Sequence, residues 1–287
     1  MFGKSEDKDN MSEYTSLEGF EKYIRKLIED EPAEKLYKDE KLKNRTGWAY
    51  NTKISFSEIA AEIMNEQFKK ISQEIKSLEN EKGYFLNHDK LSKKDEEENL
   101  YPPNPKGIKN FQIEKWKAKS FCNIKENVEG LGKFCYFEMP ITRDSKSERQ
   151  TKEKEGKVDL ISYKNKNIHI IEIKKNKSRE TLLRCIMEIY TYYKQLNINE
   201  VINQFNKKFN EKAEHIIPTI LIYQNKTKEN AAPSISEIAD NLKDKYRNQR
   251  ELLYKMAEDI GTKIQIFKIT KDKEKYDDTI AVEKIEY

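Results

Sequence analysis

Gly156-Lys157-Val158-Asp159-Leu160-Ile161-Ser162-Tyr163 and Ile168-His169-Ile170-Ile171-Glu172-Ile173-Lys174-Lys175 are two short, apolar, β-branched runs separated by the polar turn Lys164-Asn165-Lys166-Asn167. Turn formers between two strand-forming runs spell a β-hairpin. Three ionisable residues, Asp159, Glu172 and Lys174, interrupt the apolar runs. Burying a charge is costly unless it is paired or holds a metal, and two carboxylates with a lysine on neighbouring strands can do both. Side chains alternate along a strand, so Glu172 and Lys174 share one face with Ile168 and Ile170. Asp159, on the preceding strand, is within reach as a cross-strand neighbour. His169 alternates to the other face and reads as a packing histidine.

Outward from the hairpin, residues 133–141 (KFCYFEMPI) read as a strand ended by Pro140, and 143–155 as a polar loop. Downstream, 178–196 is a helix with Leu182, Ile186, Ile189, Tyr193 and Leu196 on its inward stripe. Residues 215–223 (HIIPTILIY) form a buried strand. Ser234-Ile235-Ser236-Glu237 is a capping box that opens a helix to about residue 259, broken by Gly261. Residues 263–270 and 279–285 close the chain as two strands. A helix between two strands implies a crossover and a parallel pair, and a hairpin implies an antiparallel one. The predicted sheet is therefore mixed, within an α/β (α+β mixed) architecture.

The N-terminal half reads as helical. Thr15-Ser16-Leu17-Glu18 opens a helix with Leu17, Phe20, Ile24, Leu27 and Ile28 on one face, closed by Pro32. Ser55-Phe56-Ser57-Glu58 opens a longer one, with the stripe Ile59, Ile63, Phe68, Ile71, Ile75 and Leu78 and its end at Gly83. Residues 84–110, with the charge run Lys93 to Glu98 and Tyr101-Pro102-Pro103-Asn104-Pro105, read as a linker or long loop. The expected division is thus 1–110, helical and including a first core helix over 55–82, and 111–287, the hairpin-centred core with a C-terminal helix and two strands.

The chain has 287 residues, 36% apolar and 37% charged, with a formal net charge of +4. That balance permits nucleic-acid binding without demanding it. Cys122, Cys135 and Cys185 show no paired spacing, which argues against a disulfide framework or structural zinc and for a reducing, cytoplasmic setting. His88, His169 and His215 are scattered. Residues 1–10 are charged, so no secretory signal is expected. Nothing approaches the ~18 apolar residues of a membrane span.

Asp and Glu carboxylates are hard oxygen ligands suited to Mg²⁺ or Mn²⁺. Mg²⁺ keeps several waters, so Asp159, Glu172 and the backbone carbonyl of Ile173 make a plausible donor set. A metal there polarises a phosphodiester and acidifies a water, while Lys174 orients that water or stabilises developing charge. These residues resemble the PD-(D/E)XK nuclease superfamily, whose αβββαβ core carries Asp on its second strand and (D/E)-x-K on its third. Asp159 matches the aspartate, Glu172 the second acid and Lys174 the lysine; Val158 stands where the namesake proline often stands. The resemblance covers roughly residues 133–223 and the helix before them. It implies a restriction-endonuclease-like fold with a helical N-terminal extension, a metal-dependent nuclease acting on DNA more readily than RNA, in a restriction or phage-defence role, and a homodimer for duplex cleavage. The alternative is a non-catalytic nucleic-acid-binding or assembly protein that retains the fold.

Secondary candidates follow. Glu138 either helps position a metal or is an outward strand residue. Many members carry an acid on the first core helix, and Glu58 or Glu62 could serve, though both also suit a solvated face. Some relatives carry Gln-x-x-x-Tyr on the later helix; here the residues are Glu188 and Tyr192, in the i, i+4 stripe Glu180, Arg184, Glu188, Tyr192, which equally reads as a helix-surface ion pair. The loop 143–157 and the stretch 106–119, with Phe111 and Trp116 among lysines, are candidate substrate contacts or solvated charge runs.

Overall fold

The computed structural model describes residues 17–39, 56–78, 80, 83–85, 118, 121–122, 124, 126–141, 156–175, 180–225, 247–271 and 281–284. Residues 86–110 of the expected linker 84–110, all of the aromatic-basic stretch 106–119 except 118, the polar loop 143–155 and the Ser234 capping box lie outside them. The apolar residues of the first stripe form helix α1 (Leu17–Asp30), followed by a 3-10 turn, Ala33–Lys38. Helix α2 is Phe56–Glu74. It stops well short of the expected Gly83. The Leu78 N–H donates 2.7 Å to the Gln195 carbonyl, so it is not available to continue the helix back to Glu74. A tertiary hydrogen bond has overridden a periodicity that runs on past the helix end.

The hairpin forms as read. Strands β1 (Lys133–Pro140), β2 (Lys157–Lys164) and β3 (Asn167–Lys175) are successive antiparallel neighbours. Asn165 and Lys166, with φ of 48° and 67°, make the two-residue turn. Positive φ at both central positions is what a right-twisting hairpin requires. Helices α3 (Leu182–Gln195) and α4 (Ile198–Phe209) then cross to β4 (His215–Asn225), which runs parallel to β3. Helix α5 (Arg247–Asp259) precedes β5 (Lys263–Lys271), parallel to β4, and β6 (Ala281–Lys284) returns antiparallel. The sheet is six-stranded and mixed, in the order β1-β2-β3-β4-β5-β6. Helix α4 is absent from the sequence reading, yet its signal is present: the Asn197 side chain caps the N–H of Glu200, three residues on, and Asn210 ends the helix at φ 54°.

Two compact units interleave along the chain. One comprises Met1–Lys76, Lys177–Lys194 and Ala232–Ile260, the other Ser77–Asn176, Gln195–Ala231 and Gly261–Tyr287. In the first, Phe20, Ile24, Leu36, Met64 and Ile71 are buried. The Tyr37 ring meets Tyr192 edge-on at 5.8 Å, and Tyr190 bonds Ser72 Oγ at 2.8 Å through its hydroxyl.

The second unit holds the sheet. On one face Leu160, Ile171, Ile173, Leu221 and Tyr223 form a core with Ala118, Phe121, Ile124, Val128 and Leu131. On the other, Phe205 of α4 packs 5.5 Å from Tyr163, and Phe85 lies 5.3 Å from Tyr136 and 5.7 Å from Phe205. A sheet covered on both faces needs apolar residues pointing both ways, which is why β3 reads as an almost continuous apolar run. Truncating Phe121 or Phe205 to Ala removes about 3–5 kcal/mol of packing.

Candidate active site at the open end of the hairpin

The ladder between β2 and β3 runs from Lys164↔Asn167 to Leu160↔Ile171 and stops there. Asp159 and Glu172 are the next residue of each strand beyond the last pair. Continued past them, the same register would pair Ile173 with Val158. Instead the Ile173 N–H donates 2.9 Å to the Asp159 carboxylate. A side chain has replaced the backbone acceptor. In an antiparallel ladder a residue points its N–H and C=O to the same side, so the Ile173 carbonyl is turned toward the same gap as Asp159.

Glu172 and Lys174 are both buried, and Lys174 Nζ donates 2.8 Å to Glu172 Oε1. Asp159 is half-buried, where β2 approaches its exposed start at Lys157. This gradient gives one carboxylate deep in the sheet and one nearer its rim. The register between Phe137↔Leu160 and Met139↔Val158 brings Glu138 of β1 opposite Asp159 in turn. Glu138 has φ 51°, a left-handed conformation inside a strand, costing a non-glycine residue roughly 1–2 kcal/mol. Its carboxylate stands 3.9 Å from Lys157 Nζ. No sequence signal announces that backbone.

The remaining candidates divide. Glu62 is exposed on α2, as a solvated face predicts, and the side chain of Glu58 lies outside the described residues. Glu188 and Tyr192 are brought to each other, the tyrosine hydroxyl donating 3.2 Å to Glu188 Oε1. Their stripe is not a helix surface: Arg184, Glu188 and Tyr192 are all buried. Arg184 pairs with Glu180 and with Glu188, the latter at 3.3 Å, and donates 3.1 Å to the Tyr37 carbonyl. The i, i+4 spacing is the expected one, but tertiary packing has covered it. His169 is a packing histidine on the opposite face from Glu172. Thr219 donates its hydroxyl to Ile217 and receives His169 Nδ1 at 3.1 Å. Burial pushes its pKa down to about 4, helped by the nearby Lys263 and Lys164 charges.

Among the described residues no group of three or more His, Cys, Asp or Glu is arranged to hold a metal ion. The donor set here is smaller, two carboxylates and a carbonyl, which fits Mg²⁺ because that ion retains water for its other positions. Compared with protein-family models, curated proteins and solved structures, the chain finds no match. No helix among the described residues is long and apolar enough to cross a membrane.

Proposed function

We propose that the chain is a metal-dependent nuclease with a restriction-endonuclease-like core, hydrolysing phosphodiester bonds in DNA. The observation that carries this reading is the end of the β2–β3 ladder, where Asp159 accepts the Ile173 N–H next to the buried Glu172–Lys174 pair. Asp159, Glu172 and the Ile173 carbonyl are the groups that would hold Mg²⁺ or Mn²⁺. The bound ion supplies Lewis acidity to the scissile phosphate and an acidified water. The chain's own residues do the rest. The Ile173 N–H fixes the Asp159 carboxylate in place. Lys174 holds the Glu172 carboxylate and puts an ammonium where negative charge develops on the phosphate oxygens. Partial burial of Glu172 and Lys174 strengthens those interactions by excluding water. Cleavage of both strands of a duplex calls for a homodimer, and the three free cysteines suit a reducing, cytoplasmic setting.

One observation favours a second reading. Asp159 and Glu172 are each held by a group of the hairpin itself, so the cluster also serves as a ladder terminus in a non-catalytic binding or assembly protein. Incubation of the protein and its Asp159→Asn variant with duplex, single-stranded and circular DNA and with RNA, in Mg²⁺, Mn²⁺ or EDTA, separates the two. The nuclease reading expects metal-dependent cleavage that falls at least about 100-fold in the variant, the order of effect of losing one charge-stabilising group. Equal cleavage by both proteins, or metal-independent DNA binding with no cleavage, would overturn it.

A further inference from the structure

At the turn end of the hairpin, on the face of the sheet away from Glu172, lies a groove of about 520 Å³ lined by Gly130, Lys164, Asn165, Asn167, His169, Lys263, Ile264 and Gln265. It is a different place from the candidate active site. Asp159 is five residues from Lys164 along β2, roughly 16 Å at strand rise, and His169 faces the opposite way from Glu172. The charges in the groove are of one sign. Lys164 and Lys263 both line it, on either side of His169. Among the described residues neither lysine forms an ion pair and no carboxylate lines the groove. Lys166, one residue from the groove's Asn165 and Asn167, is by contrast paired with Glu214 at 2.6 Å.

The rest of the lining is polar and able to hydrogen-bond: the amides of Asn165, Asn167 and Gln265. Gln265 Oε1 is buried and has no hydrogen-bond partner among the described residues. A buried amide oxygen in that state lacks a donor, and a ligand in the groove would supply one once the side chain turns toward it. Gly130 has φ 79°, and a Cβ there would stand 3.0 Å from Gln265 Oε1, so glycine keeps the backbone close to that amide.

We propose that this groove is a binding site for a phosphate-bearing ligand of mononucleotide size, with Lys164 and Lys263 contacting the phosphate and the Gln265 amide reading a hydroxyl or amino group beside it. Lysine is a compact point-charge partner for phosphate, and a volume of this size holds a small ligand. The phosphate belongs either to a free nucleotide or to a nucleic-acid backbone, and the two are separable.

The test is calorimetric titration of the full chain with inorganic phosphate, AMP and a short single-stranded oligonucleotide, for wild type, Lys164→Gln/Lys263→Gln and Lys166→Gln. Binding of AMP should weaken about tenfold for each groove lysine lost, and about 100-fold in the double variant, since each charge-assisted contact is worth roughly one decade. Lys166→Gln should bind as wild type. AMP should also raise the melting temperature of wild type and not of the double variant, whose own melting temperature checks that it folds. Binding of the oligonucleotide alone, lost in the double variant, supports the phosphate site and assigns the polymer as its source. No binding of any probe by wild type, or equal binding by wild type and double variant, overturns the proposal. Asp159→Asn should leave AMP binding unchanged, so failure of the nuclease reading and failure of this one are told apart.

Discussion

Two buried charge clusters in this molecule are built on opposite plans. In the first unit, Arg184 on α3 holds Glu180 and Glu188 and donates to the Tyr37 carbonyl, 147 positions away, while Tyr192 adds its hydroxyl to Glu188. That network ties a helix to a distant turn. In the second unit, the Lys174–Glu172 pair joins residues two apart on a single strand. Desolvating two charges costs several kcal/mol, which their attraction recovers only with good geometry and further hydrogen bonds. A cluster that fastens distant segments has an architectural reason to exist. A pair within one strand, beside Asp159 at the ladder end, is the one that the proposed chemistry would use.

Breaking each cluster tests that contrast. Arg184→Leu removes the cation that pairs with Glu180 and Glu188 and should cost about 3–5 kcal/mol of unfolding free energy in a denaturant titration. A loss below about 1 kcal/mol would remove the architectural role. At the sheet, single removal of Glu172 is a poor test, because it takes one charge of a buried pair and leaves the other desolvated. The paired replacement Glu172→Leu/Lys174→Met removes both charges and should leave stability unchanged or raise it by about 1–4 kcal/mol, while abolishing the proposed cleavage. A large destabilisation would make that pair architectural as well.

His169 sharpens the comparison as a buried polar group with no charge at neutral pH. Its folded pKa, about 4, lies below the unfolded 6.5. Above pH 6.5 both states are neutral and no penalty exists. As pH falls from 6.5 toward 4, the unfolded chain takes up a proton that the folded chain refuses, and stability drops by up to about 3 kcal/mol. Below 4 this contribution changes no further. His169→Gln should flatten that part of the stability–pH profile relative to wild type, and parallel profiles would show that the imidazole is not held neutral. The smallest effect is expected at Glu138, whose φ of 51° favours glycine. Glu138→Gly should gain about 1 kcal/mol by releasing the strain, and if the carboxylate helps the site, activity should fall as the melting temperature rises.

The hairpin, its turn and the pairing of strands were legible because their signals are local. Turn residues at Asn165 and Lys166 and alternation along Val158–Ser162 need no partner to be read. The parallel β3–β4 pair followed from a helix lying between two strands. Helix α4 was legible too, through the Asn197 cap and the stripe Ile198, Val201, Ile202, Phe205 and Phe209 at helical spacing, although the sequence reading runs straight from the preceding helix to β4.

The sequence by itself determined which residues are candidates: Asp159, Glu172 and Lys174 stand out because charge inside a β-branched run is costly. Tertiary structure alone decided how they are used. It ended the ladder at Leu160↔Ile171 and gave the Ile173 N–H to Asp159. It bent Glu138 into a left-handed backbone, buried the Arg184 stripe that reads as a helix surface, and gathered Lys164 and Lys263 from distant positions into one groove. The physical reason is range. Propensity and periodicity act over a few residues, whereas burial, strand register and charge proximity depend on segments that only folding brings together.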